Sequence, residues 1–155
     1  MITSLKYHHT FRGEPLSRTI IDNLLCDRLL ALDDSKANKN LQVATEVDIR
    51  AELANISEKA SYNAGYVTGR ADYVLSYGGL KSSLENALVV IEAKKDGFCY
   101  TAITQMLCYL AGIQNACKRA GKINIEVFGI MADTDNFQFA LLDNQRTAFI
   151  SKPLS

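Results

Sequence analysis

Two short stretches of this chain carry residues whose types and spacing suit chemistry at the rim of a sheet. In Gly69-Arg70-Ala71-Asp72-Tyr73-Val74-Leu75, one Asp is set within an apolar run. In Ala87-Leu88-Val89-Val90-Ile91-Glu92-Ala93-Lys94-Lys95, a Glu-x-Lys closes a second run. If each run is a strand, Glu92 and Lys94 point to the same face, because side chains alternate along a strand. Charged groups beside a buried sheet cost stability unless metal, partners or chemistry compensate them. They therefore mark a candidate site.

Pairing of the two strands would bring Asp72 and Glu92 within reach of one divalent cation. Hard oxygen donors suit Mg²⁺ or Mn²⁺, which take one or two protein carboxylates and keep several waters. The carbonyl of Ala93 offers a further ligand. Lys94 beside the ion can orient a water, stabilise a developing hydroxide or hold a phosphate oxygen. Arg70 and Lys95 flank the set as charge-assisted donors to substrate phosphates. Parts of this kind suit hydrolysis of a phosphodiester.

The elements that must position these residues are legible from periodicity. Glu14-Pro15-Leu16-Ser17 reads as a helix start, and Ile20, Ile21, Leu24, Leu25 and Leu29 form one apolar stripe running to about Leu32. Asp33 to Asn40 reads as a polar loop. Leu41 to Ile49 predicts a strand with Leu41, Val43, Thr45, Val47 and Ile49 on one face. Between Ala51 and Gly69 the pattern is ambiguous, with Gly65 and Gly69 as turn signals. Strands follow at Ala71 to Tyr77 and Leu88 to Ala93, separated by Gly78-Gly79 and a polar insert, and Asp96-Gly97 is a stop.

Thr101 to Arg119 predicts a helix with Ile103, Met106, Leu107, Leu110, Ile113 and Cys117 on one face, ended by Gly121. Ile123 to Met131, Phe137 to Leu142 and Thr147 to Ile150 complete the strands, with a turn at Asp133 to Asn136. The order is helix, three strands, helix, then two or three strands. It predicts a single α/β domain over residues 1–155, a sandwich around one central mixed sheet. The second helix serves as a crossover, making the third and fourth strands parallel.

The set Gly-Arg-x-Asp-Tyr-x-Leu, Ile-Glu-Ala-Lys and, on the next helix, Gln105 with Tyr109 resembles the PD-(D/E)XK nuclease superfamily. It is close in motif style to nuclease domains of type I restriction subunits and related fungal domains. The resemblance implies a restriction-endonuclease-like fold with an αβββαβ core. It also implies a metal-dependent nuclease in which Asp72 and Glu92 hold the ion and Lys94 and Gln105 join them in catalysis. Tyr109 would face the site from the same helix as Gln105, as a substrate-binding residue. Ala71 stands where the family has Pro. An additional acid upstream is also implied, and either Glu14 or Glu46 fits it as a metal ligand.

Bulk properties set limits on this reading. Seventeen basic and seventeen acidic residues give a formal net charge of +0, which argues against charge-driven coating of nucleic acid but allows a local basic patch. No apolar stretch is long enough to span a bilayer, and Met1 to His9 lacks the apolar core of a signal peptide. Cys26, Cys99, Cys108 and Cys117 form no C-x-x-C pair and read as small buried residues in a reducing compartment. An intracellular location follows, with delivery into a host cell left open. His8 and His9 read as exposed polar residues.

The expected partner is nucleic acid, DNA ahead of RNA, with no membrane. A double-strand break would require two sites and hence a homodimer. The alternatives are a catalytically silent module that binds nucleic acid or protein, and an effector or toxin using the same fold.

Overall fold

The computed structural model describes residues 13–32, 41–52, 66–78, 84–95 and 100–155. His8, His9, Cys99, the expected loop 33–40, the Gly65 turn, Gly79 with the following insert and the Asp96-Gly97 stop lie outside them. In chain order the elements are α1 (Glu14–Leu32), β1 (Leu41–Glu52), β2 (Tyr66–Tyr77), β3 (Ala87–Ala93), α2 (Tyr100–Arg119), β4 (Val127–Ala132), β5 (Phe137–Leu142) and β6 (Ala148–Ile150). One six-stranded sheet runs in the order β1-β2-β3-β4-β5-β6. Neighbours are antiparallel except β3 and β4, which are parallel and joined through α2. The expected α/β organisation around a mixed sheet is therefore present.

Local chemistry starts and stops the helices. At the head of α1 the Gly13 carbonyl accepts the amides of Leu16 and Ser17 at 3.0 and 3.2 Å, and Pro15 sits in the first turn, where its missing N–H is no loss. At the tail of α2, Gly121 adopts φ 73°, the left-handed conformation that a glycine enters without a steric penalty. That turn lets the amides of Gly121 and Lys122 satisfy the carbonyls of Lys118 and Cys117. Several boundaries differ from the expectation, β1 among them, since it runs past Ile49 to Glu52. β2 begins at Tyr66, five residues earlier than the apolar run suggests, with Gly69 inside the strand instead of in a turn.

β4 begins only at Val127, with Ile123 99% exposed. The reason is local: Asn144 takes the Ile125 amide and Asn124 takes that of Glu126, so side chains replace the ladder there. β6 begins at Ala148 because the Thr147 amide is held by Asp143 Oδ1 at 2.7 Å.

Each face of the sheet packs its own helix. Met106, Leu110, Ile113 and Cys117 of α2 close over Ile49, Val74, Val90, Val127 and Met131. Ile21 of α1, with Leu25 beside it, packs against Tyr73, Ile91, Ala93 and Ala132. Fully burying each large aliphatic side chain contributes about 1.5–3 kcal/mol, so the α2 face carries most of the stability. Ile103 and Leu107 of the expected α2 face are only half-buried. Cys26 is exposed on α1, contrary to the expected burial, while Cys108 is half-buried and Cys117 buried.

β1 does not keep one face. Val43 joins the cluster under α1, whereas Val47 and Ile49 join the cluster under α2. Between them Glu46 has φ 53°, which inverts the alternation. A non-glycine residue in that region costs roughly 1–2 kcal/mol. β2 changes face at the same level, since Ala71 packs under α2 while Tyr73 and Leu75 pack under α1. The change falls where Thr45↔Tyr73 and Val47↔Ala71 bracket Glu46 and Asp72. Strict period-two reading cannot detect it.

Gln114, 1% exposed, ties α2 to the end of the sheet. Its amide nitrogen donates to the carbonyls of Asp143 at 2.7 Å and Ile125 at 3.3 Å. Gln114→Leu fills the same space but strands both carbonyls. Chemical denaturation should show a loss of about 2–3 kcal/mol with an unchanged denaturant slope.

Candidate functional site

Three acids fall in one row across three adjacent strands. Glu46 of β1 lies opposite Asp72 of β2, at the level between Thr45↔Tyr73 and Val47↔Ala71. One step on from Tyr73↔Ile91, Asp72 stands beside Glu92 of β3. Neighbouring strands are about 4.8 Å apart, so like charges in such a row repel. Asp72 and Glu92 are buried, at 8% and 3% exposure, while Glu46 is exposed. Two cations compensate the row, one from α1 and one from the end of β3.

From α1, Arg18 bonds Asp72 Oδ1 and lies 3.2 Å from Glu14 and 3.6 Å from Glu46. The other Asp72 oxygen, Oδ2, accepts the amide of Ala93 at 2.8 Å. On the α2 side, Lys94 Nζ donates to Glu92 Oε2 at 2.9 Å and to Gln105 Oε1 at 3.1 Å. Gln105 Nε2 in turn donates to the Tyr109 hydroxyl at 2.8 Å, and that hydroxyl points to the Arg70 carbonyl at 3.5 Å. A continuous chain thus runs from the backbone of β2 through α2 to the end of β3.

The helices are pinned at this rim. The Ser17 hydroxyl donates to the Lys94 carbonyl at 2.9 Å, and the Tyr73 hydroxyl donates to the Arg18 carbonyl at 3.3 Å. Burial, and next the nearby Asp22 carboxylate, push the Tyr73 phenol above its ordinary range, so it remains a proton donor. On the α2 side, Gly69 makes room for Tyr109. A Cβ built there would lie 2.7 Å from Tyr109 Cε1, closer than any tolerated contact.

The electrostatics mark Glu92 as the strained member. Burial raises its pKa above the usual carboxylate value, Lys94 opposes the rise, and the Asp72 charge adds to it. Among the described residues, the buried Glu92 Oε1 has no hydrogen-bond partner. Arg18 answers differently: partial burial disfavours its charge, but Asp72 and then Glu14 outweigh this and raise its pKa.

The residues singled out in sequence divide into groups. Asp72, Glu92, Lys94 and Gln105 lie together at the rim. Ala93 takes part through its amide, on Asp72. Arg70 and Lys95 are exposed beside the row, Arg70 within 3.8 Å of Glu46. Glu14 and Glu46 join the group through Arg18, and among the described residues no three His, Cys, Asp or Glu side chains form a metal-holding cluster. Tyr109 needs correction as a substrate-binding residue. It is 2% exposed, and among the described residues its hydroxyl meets Gln105 and the backbone of β2. Its place is to orient Gln105.

Arg18 and Ser17 were missed as site residues. The signal was available, because both follow the helix-start acid Glu14 on one turn, yet only pairing of distant strands shows what they touch.

Two outcomes test this geometry. Gly69→Ala should destabilise the protein by about 1–3 kcal/mol in denaturant titrations, because the Tyr109 ring must move. Glu92→Gln should raise the melting temperature at pH 7 in chelator. A carboxyl whose pKa is raised by folding contributes stability below its unfolded pKa and loses it as pH rises through the folded value. The gain is roughly 2–4 °C, equivalent to about 1 kcal/mol in a chain of this length, and it should vanish as pH falls toward 4. A uniform loss at every pH would show that Glu92 stabilises the fold. No protein-family model matches this chain, and neither does any curated protein.

Proposed function

We propose that this chain is a divalent-metal-dependent nuclease of restriction-endonuclease-like fold, hydrolysing phosphodiester bonds in DNA ahead of RNA. The order of helix, three strands, helix and strand supports the fold assignment. The observation that carries the activity is the junction of Asp72, Glu92, Lys94 and Gln105 where β2, β3 and α2 meet. A structural ion pair would not require two buried acids side by side, one with an orphaned oxygen.

Mg²⁺ or Mn²⁺ fits this donor set. Glu92 Oε1 is the open ligand position, Asp72 is the second carboxylate, and the Ala93 carbonyl is a candidate third ligand. Two protein carboxylates suffice for such an ion, which keeps its remaining positions for water and phosphate. When bound it would neutralise phosphate charge and lower the pKa of an attacking water.

The chain's own groups have separable tasks. Lys94 has three donors, two of which are committed to Glu92 and Gln105. The third is available to a water or a phosphate oxygen. Gln105 holds the ammonium in place as a positioning residue, and Tyr109 fixes which end of the Gln105 amide faces Lys94. Arg70 and Lys95, both exposed, are placed to receive the phosphate backbone. Cutting both strands would need two such sites, supplied by a homodimer.

One observation favours the alternative of a silent binding module. Each buried carboxylate already has a cationic partner, Arg18 or Lys94. The deciding experiment is digestion of linear, circular and single-stranded DNA, and of RNA, with Mg²⁺ or Mn²⁺. Asp72→Ala, Glu92→Ala and Lys94→Ala should each lower cleavage roughly 10²–10⁴-fold while far-UV circular dichroism stays native. Undiminished cleavage in all three variants would end the proposal.

A further inference from the structure

Arg18 occupies a position that the proposed hydrolysis leaves unexplained. Its guanidinium meets carboxylates from three elements, Glu14 of α1, Glu46 of β1 and Asp72 of β2. A planar fork with five donors can serve three acids at once in fixed geometry. The turn that delivers it is anchored on both sides, by Ser17 on the Lys94 carbonyl and by Tyr73 on the carbonyl of Arg18 itself. The Arg18 side chain is 36% exposed, whereas that of Asp72 is 9% exposed. The cation can turn away into water, and the acid cannot.

We infer that Arg18 is the resident counter-cation of the acid row and an intramolecular competitor that a divalent ion displaces from Asp72 Oδ1. The inference rests on the reading of this rim as a metal centre. Without the guanidinium, Asp72 would be a buried charge between Glu46 and Glu92, a costly arrangement. Asp72 Oδ2 is already held by the Ala93 amide, so a metal ion and Arg18 compete for the remaining oxygen. The displaced guanidinium keeps Glu14 and Glu46 as partners, so exchange requires rotation of one side chain and no unfolding. Metal affinity is thereby set from α1, by a residue that is not a ligand.

The test is a Mg²⁺ titration of the whole protein, followed by calorimetry and by the ¹⁵N-resolved Nε–Hε resonance of Arg18. The resonance should move with the same midpoint as the heat. Arg18→Gln should bind Mg²⁺ about tenfold more tightly, the change expected from removing one charge-assisted competitor. Arg18→Lys keeps the charge without the fork and should fall between, and it carries the comparison if Arg18→Gln does not fold.

Binding that leaves the Arg18 resonance still and the affinity unchanged in both variants overturns the inference and spares the nuclease reading. Displacement with tighter binding in the variants, but no cleavage of any nucleic acid, supports the inference and overturns that reading. Absence of Mg²⁺ binding in all three proteins overturns both.

Discussion

The rim of this molecule is governed by repulsion among acids that the sheet forces into line. Strand pairing sets Glu46, Asp72 and Glu92 at successive positions across β1, β2 and β3, at a spacing that side chains cannot lengthen by much. Two of the three are buried. Such a row folds only if positive charge arrives beside it, and α1 and the end of β3 supply it. α1 brings Arg18 directly, and α2 brings Gln105, which holds Lys94 against Glu92. The helix positions and the charge balance are therefore one problem with one solution.

That coupling explains why small or polar residues stand at unexpected places. Ser17 is fully buried on an otherwise apolar helix face because its hydroxyl closes on the Lys94 carbonyl. Gly69 interrupts a strand because the Tyr109 ring passes where a Cβ would be. Glu46 accepts a left-handed backbone where the sheet changes face, and Asp72 sits at the same level. Each lowers local stability or regularity, and all three surround the same few carboxylates. Departures from local preference that cluster in this way are expected at functional sites.

The compensation is also incomplete, which gives the site chemical capacity. One Glu92 oxygen has no partner among the described residues, and the pKa of that carboxyl is raised mainly by burial. Among the described residues, Lys94 has two acceptors for its three donors. A rim selected purely for stability would satisfy both. The large core under α2 tolerates this deficit, since Met106, Leu110, Ile113, Val90 and Met131 are fully buried there.

Much of this was legible in the chain. Apolar periodicity located both helices and most strands, because burial of one face is a short-range pattern. Asp72, Glu92 and Lys94 stood out as charges set in or closing apolar runs, whereas Gln105 was marked only by a motif resemblance. The reversal of face at Glu46 escaped it, since a single left-handed residue leaves no periodic trace. Ile123 misled because Asn124 and Asn144, not a neighbouring strand, satisfy the backbone nearby.

Tyr109 read as a residue facing substrate, and only packing against Gly69 shows it enclosed. Arg18 was equally hidden, for its partner Asp72 lies far along the chain and meets it only once β2 is in the sheet. Sequence by itself determined which groups were available for chemistry. Tertiary structure decided which charges meet, because contacts between distant strands and helices depend on register and twist that no local pattern encodes.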